Sequence, residues 1–177
     1  MTPLASITPT ERGVADRLLA DAVTRLSSEG IRVLGALRDF EQSDASKQCD
    51  NTLRLLPNGP IVRITQDLGP GSSACKMDAG ALEDAVGIAV ARLAAEVADL
   101  IVLNKFGLRE AEGHGFRQLI GDALASEIPV LLGVSDTHRA AFERFADGMA
   151  TNLSSDEKAI LTWCKTAIAR RPNTATG

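Results

Sequence analysis

The stretch Leu100-Ile101-Val102-Leu103-Asn104-Lys105-Phe106-Gly107 decides how the chain is read. Four uninterrupted apolar residues predict a short strand buried on both faces, the mark of a central strand in a parallel sheet. The run ends in Asn104 and Lys105, and ligands of open α/β sheets bind at the carboxyl ends of the strands. Asn104 and Lys105 are therefore expected where such a protein keeps its chemistry. A polar loop, Leu108 to Gly115, follows. The helical spacing of Phe116, Leu119, Ile120, Ala123 and Leu124 completes a strand, loop and helix unit.

Working outward, the same unit recurs. Pro3 to Ile7 is a strand candidate, Thr8 to Gly13 a polar loop, and Val14, Leu18, Leu19, Ala22, Val23 and Leu26 a helical stripe that stops at Gly30. Ile31 to Leu37 is a second strand, in which Gly35 permits close backbone approach. After a polar loop from Phe40 to Asp50, Thr52 to Leu56 and Ile61 to Thr65 flank Pro57-Asn58-Gly59-Pro60, the chemistry of a turn. This predicts a β-hairpin, an excursion at the sheet edge. The loop Gln66 to Lys76 is rich in glycine and serine. Asp78 then caps a helix whose stripe runs from Leu82 to Leu93.

Beyond the central unit, Ile128 to Val134 is another buried strand. Ser135-Asp136 offers a cap for a helix through Phe142 and Phe145. A final helix opens with the box Ser154-Ser155-Asp156-Glu157, with Ile160, Leu161, Cys164, Ala167 and Ile168 on its apolar face and Trp163 flanking it. Residues 1–171 are read as one α/β domain, and 172–177 as a flexible tail.

Composition narrows the function. Aromatics are 3% of the chain and tyrosine is absent, a poor inventory for stacking the bases of single-stranded nucleic acid. A net charge of −4 argues in the same direction against a polyanionic partner. The three cysteines, Cys49, Cys75 and Cys164, have no short C-x-x-C spacing and suggest neither a disulfide framework nor a zinc site. No apolar run is long enough to span a bilayer, and no signal peptide is evident. The expectation is a reduced, cytoplasmic protein without metal or cofactor, with homo-oligomerisation left open.

The order of elements resembles the small P-loop nucleoside-triphosphatases of the thermophile type. There too a hairpin follows the second strand, and a Walker B segment leads to a helix starting with phenylalanine and then to a strand. The stretch ADLIVLNKFGLREAEGHGFRQLIGDALASEIPVLLGV lines up with that plan. More closely, RITQDLGPGSSACKMD and NKFGLREAEGHGFR resemble a bacterial family of P-loop relatives, often encoded near molybdate-transport or nitrogen-fixation genes. The resemblance runs from Leu4 to Met149. It implies a three-layer P-loop NTPase-like fold with a mostly parallel sheet and an inserted hairpin.

The departures from that family bear on activity. A working P-loop is G-x-x-x-x-G-K-[ST], with backbone amides around the phosphates and a lysine reaching them. Here the equivalent loop is TPTERGVAD: Gly13 is kept, but Val14 and Ala15 replace the lysine and the hydroxyl residue. The acid expected at the end of the Walker B strand is Asn104, and its neighbour is Lys105. Loss of the phosphate clamp and the metal clamp removes most of the electrostatic stabilisation that phosphoryl transfer needs. The reading leans away from an enzyme and toward a degenerate P-loop.

What remains suits an anion. Lys105 replaces the metal's charge, and the helix after Gly13 directs amides and a positive dipole end toward the same place. Thr8, Thr10 and Arg12 add donors, as do Gly71, Ser72, Ser73 and Lys76 from the serine-rich loop, with Arg117 on the following helix. The expected function is binding, without catalysis, of a phosphate-bearing metabolite or nucleotide, or of an oxyanion such as molybdate; molybdate rests on the family's gene context alone. Alternatives are an interaction or oligomeric regulatory module, using the hairpin or the Trp163 helix, and an atypical triphosphatase or phosphotransferase with Glu110 or Glu112 as base. Plainer readings stand beside these. Lys105 pairs with Glu110 or Glu112, Asn104 satisfies backbone at a strand end, and the glycine-rich loop is only a turn. Arg117 lies on a solvent face, and His114 and His138 are structural or solvated. Cys49 and Cys75 are free thiols or a redox pair, and Cys164 belongs to the core.

Overall fold

The computed structural model describes residues 3–8, 11, 13–39, 52–66 and 76–172. Thr10, Arg12, Cys49, Gly71, Ser72, Ser73, Cys75 and the tail from 173 lie outside them. The elements are β1 (Leu4–Ile7), α1 (Val14–Ser28), β2 (Val33–Arg38), β3 (Thr52–Leu56), β4 (Ile61–Arg63), β5 (Thr65–Gln66), β6 (Lys76–Met77) and α2 (Ala79–Ala95). They continue with β7 (Leu100–Phe106), α3 (Leu108–Ala111), α4 (Arg117–Ala125), β8 (Val130–Val134), α5 (Arg139–Ala146), β9 (Thr151–Leu153) and α6 (Glu157–Ala169).

Among the described residues the main sheet has the order β4-β3-β2-β7-β8-β1-β9. The run β2-β7-β8-β1-β9 is parallel throughout. The predicted hairpin is β3 and β4, antiparallel to each other, with β3 antiparallel to β2, and it lies at the sheet edge as expected. A separate small ribbon pairs β5 with β6.

Each parallel strand needs cover on both faces, and β7 shows how it is supplied. Ile101 and Leu103 face a core with Leu82 and Val86 of α2, Leu119 and Ile120 of α4, and Phe142 of α5. Leu100 and Val102 face the opposite core, with Leu19 and Leu26 of α1 and Ile160 and Cys164 of α6. The result is three layers, helices on either side of one mostly parallel sheet.

Several local readings hold. Asp78 caps α2 by accepting from the Ala81 amide at 3.0 Å. Gly30, at φ +85, turns the chain out of α1 and donates to the Ser27 carbonyl at 3.0 Å.

Others need correction. The cap of α6 is Asp156, whose carboxylate accepts from the Ala159 amide at 2.9 Å, and the helix begins one residue later. Ser135 and Asp136 do not cap α5; a single 3-10 turn, Asp136–His138, precedes it, and its cap position makes no side-chain bond. Trp163 does not flank the core but is buried in it, since the stripe of α6 is wide enough to turn Ile160, Trp163, Cys164 and Ala167 inward together. The polar segment after β7 contains the short helix α3, and the segment before α6 contains β9.

Candidate functional site

The strand predicted to stop at Leu103 continues to Phe106, with a break in its pairing. Leu103 lies opposite Leu132, and Phe106 opposite Val134. Two residues of β7, Asn104 and Lys105, thus oppose the single Gly133 of β8, which is a β-bulge. A bulge re-aims side chains, and such features cluster beside active sites. Phe106 returns to the core on the far side of it. Its ring meets Phe142 edge-on at 5.4 Å and Phe145 at 5.4 Å. That aromatic anchor keeps the two polar residues outside while the strand stays paired.

Asn104 is half-buried and Lys105 exposed. A Cβ built on Gly133 would lie 3.8 Å from the Cβ of Lys105 and 3.8 Å from that of Ala15, in the first turn of α1, while the Lys105 side chain beyond runs beside Gly107, where its Cε would lie 3.8 Å from an added Cβ. The bulge and the start of α1 therefore converge.

Both residues line a cavity of about 250 Å³. Arg38, at the end of β2, and Arg109, on α3, also line it, with His138. Asp16 of α1 is there too, 3.6 Å from Arg38. Its apolar lining includes Leu53, Ile64, Leu82 and Phe116.

The segment after the bulge is clamped by Glu110. Its Oε2 accepts from the Gly107 amide at 3.1 Å, and its Oε1 from the Phe116 amide at 3.2 Å. One carboxylate thus ties the start of α3 to the start of α4. Burial pushes the Glu110 carboxyl above the usual carboxylate range, opposed by the backbone at Phe116, at Glu110 itself and at Gly107, and the nearby Glu83 charge adds to the rise. Gly115, at φ +59, is required beside it, because a Cβ there would come 2.5 Å from Glu110 Oε1. Neither Glu110 nor Glu112 pairs with Lys105: Glu110 holds the two amides, and Glu112 lies 3.8 Å from Arg109. Arg109 also reaches Glu83 at 3.7 Å.

Other candidates from the sequence are placed apart. Gly13 begins α1 at φ +81, as a left-handed turn residue, outside the cavity lining. Thr8 follows β1, and its buried hydroxyl has no hydrogen-bond partner among the described residues. Lys76 is exposed on β6, although its neighbour Met77 borders the cavity. Arg117 faces elsewhere: its guanidinium sits 5.0 Å over the Phe145 ring and donates to the Glu110 carbonyl at 3.3 Å, so packing already occupies it.

The cavity also contains Arg38, which the sequence did not single out, and His138, expected to be structural or solvated. Arg38 ends a parallel strand, the same signal that drew attention to Asn104. His138 is half-buried, with its Nδ1 2.9 Å from Ser135 Oγ, and no spacing in the sequence marked it. His114 is exposed.

Residues 4–163 match the family described as protein of unknown function (DUF2478). The chain belongs to that family. This DUF2478 chain is also 36% identical over 155 residues to the molybdenum import ATP-binding protein ModC 2 of Bradyrhizobium diazoefficiens. The match takes in 88% of the chain but only 17% of that relative, so the chain spans less than a fifth of the curated protein it resembles. The crystal structure of THEP1 from the hyperthermophile Aquifex aeolicus matches with a TM-score of 0.64 at 14% identity, covering 92% of this chain and 95% of that one. What the two share is the fold, the P-loop NTPase-like arrangement expected from the order of elements. In the DUF2478 chain, no described helix is long and apolar enough to cross a membrane.

Proposed function

We propose that this chain is a binding module for a small anion, built on a P-loop NTPase-like frame and working without phosphoryl transfer. The observation that carries the reading is Lys105. It sits in the β7 bulge, lines the cavity, and forms no ion pair among the described residues, while the cations beside it are matched by Asp16, Glu83 and Glu112. An ammonium at the rim of a partly desolvated cavity attracts an anion more strongly than one on an open surface. Asn104 supplies a neutral donor next to it. Val14 and Ala15 bring neither the lysine nor the hydroxyl of a phosphate-hydrolysing loop, and no acid follows Leu103 to hold Mg²⁺. The whole chain, residues 1–171 with a short tail, serves as one such module in this reading.

The ligand class is a phosphate-bearing metabolite or nucleotide, or an oxyanion such as molybdate. The likeness to part of a molybdenum import ATP-binding protein favours a place near molybdenum uptake, either by binding that oxyanion or by docking to a transport ATPase.

Calorimetric titration with inorganic phosphate, nucleotides, molybdate and tungstate tests the proposal. Binding of at least one, weakened about tenfold or more in Lys105→Ala, is the expected result. Silence toward all of them at millimolar concentration overturns it. So does turnover of a nucleoside triphosphate with Mg²⁺ that Lys105→Ala abolishes, which identifies an enzyme instead.

A further inference from the structure

The anion-binding reading leaves open whether the ligand is a bare oxyanion or the charged end of a larger molecule, and the shape of the cavity separates the two. Lys105 and Asn104 line it with further polar groups, Asp16, Arg38, Arg109 and His138 among them. Its apolar lining includes Leu53, Ile64, Leu82 and Phe116, each less than a tenth exposed. Leu108 and Met77, 56% and 43% exposed, extend that apolar surface to the mouth. A tetrahedral oxyanion held at Lys105 is only a few atoms across. It would leave much of the roughly 250 Å³ to waters, part of them against Leu53, Ile64, Leu82 and Phe116, whose side chains offer no hydrogen bonds. Small-molecule sites that bury an organic ligand combine apolar lining with convergent polar groups, and this cavity has both.

We infer that the cavity takes an organic anion: a phosphate or carboxylate at Lys105 and Asn104, carried on an apolar or aromatic body that lies against Leu53, Ile64 and Phe116. The inference rests on the anion-binding proposal and deepens it. The lining is contributed by the ends of β2, β3 and β7, by Ile64 and Met77 at the β5-β6 ribbon, and by α3, with Asp16 of α1 beside Arg38.

The test compares phenyl phosphate with inorganic phosphate, which carry the same charged group, by calorimetry on the full chain. Molybdate serves as a second bare oxyanion. Phenyl phosphate is expected to bind at least about tenfold more tightly than either, from burial of the ring. Leu108→Ser, at an exposed rim position that leaves the core intact, is expected to shrink that preference about threefold or more while leaving the affinity for inorganic phosphate unchanged. Met77→Ser provides the same comparison from the other rim if the first variant fails to fold. Equal affinities for phenyl phosphate and a bare oxyanion overturn the inference and leave the anion-binding proposal standing. Loss of the preference together with equal loss of phosphate binding in the rim variants also overturns it. No binding of any of the three overturns this inference, and silence of nucleotides and tungstate as well removes the anion-binding proposal with it.

Discussion

Gly35 and Val102 are register partners in adjacent parallel strands, and a Cβ on Gly35 would lie 1.9 Å from the Val102 carbonyl oxygen. The glycine also has φ +133, where side chains are rarely tolerated. Gly35→Ala should therefore force β2 away from β7 at the centre of the sheet. The expected loss is about 3 kcal/mol, combining overpacking with backbone strain. Urea unfolding followed by circular dichroism measures it; a change below about 1 kcal/mol would show that the strands can part cheaply.

Glu110 makes stability depend on pH with a defined sign. Burial raises its carboxyl above the ordinary 4.5 in the folded protein, so the folded state holds this proton more tightly than the unfolded chain does. Its contribution is complete below about pH 4.5 and declines as pH rises through the raised folded value. Glu110→Gln removes that decline. Plotted against pH from 4 upward, the variant's unfolding free energy should gain on the wild type's, whatever their offset from the altered amide contacts. A variant that loses ground with rising pH would mean that the Gly107 and Phe116 amides outweigh burial.

Arg117 and Lys105 should separate cleanly. Arg117 stacks on Phe145 and holds the Glu110 carbonyl, so Arg117→Ala should cost about 1 kcal/mol of stability through lost packing and the lost hydrogen bond. Anion affinity, read by calorimetry, should stay within about twofold of wild type at moderate salt, because this charge lies outside the cavity. A loss matching that of Lys105→Ala would bring Arg117 back to the site.

Cys164 should be inert in the folded protein. Its thiol is fully buried, and burial raises it to about 12, so almost no thiolate forms at pH 8. Iodoacetamide at that pH should leave Cys164 unmodified until denaturant is added, with the modified peptide located by mass spectrometry. Rapid native labelling would mean that α6 detaches readily from the sheet.

The fold was legible wherever burial leaves a long or periodic trace. Leu100 to Leu103 and Val130 to Val134 announce two-sided burial, the stripe of α1 repeats over several turns, and the prolines around Asn58 and Gly59 mark the hairpin. β9 was not legible, because Thr151-Asn152-Leu153 is too short to show a period and is defined by its pairing with β1. The same holds for α3, four residues within a polar segment and tied down by the Glu110 carboxylate.

The site divides in the same way. Asn104 and Lys105 follow from the rule about strand ends, and Arg38 was available to that rule without being used. His138 and Arg109 reach the cavity only through the packing of α3 and the turn before α5, which no local pattern encodes. The bulge itself is invisible to hydropathy, since it depends on how many residues β8 sets against β7.

That count of two residues against one has an evolutionary consequence. Leu103 and Phe106 both belong to the core under α2, α4 and α5, so removing one residue between them would restore regular pleating and leave one polar side chain, on the α1 side, where two now stand. An insertion or deletion at this one point would therefore change how many polar groups the strand end presents. Comparing relatives by which amino acid they carry there, without first checking the spacing to the phenylalanine, would align groups that do not share a place in space.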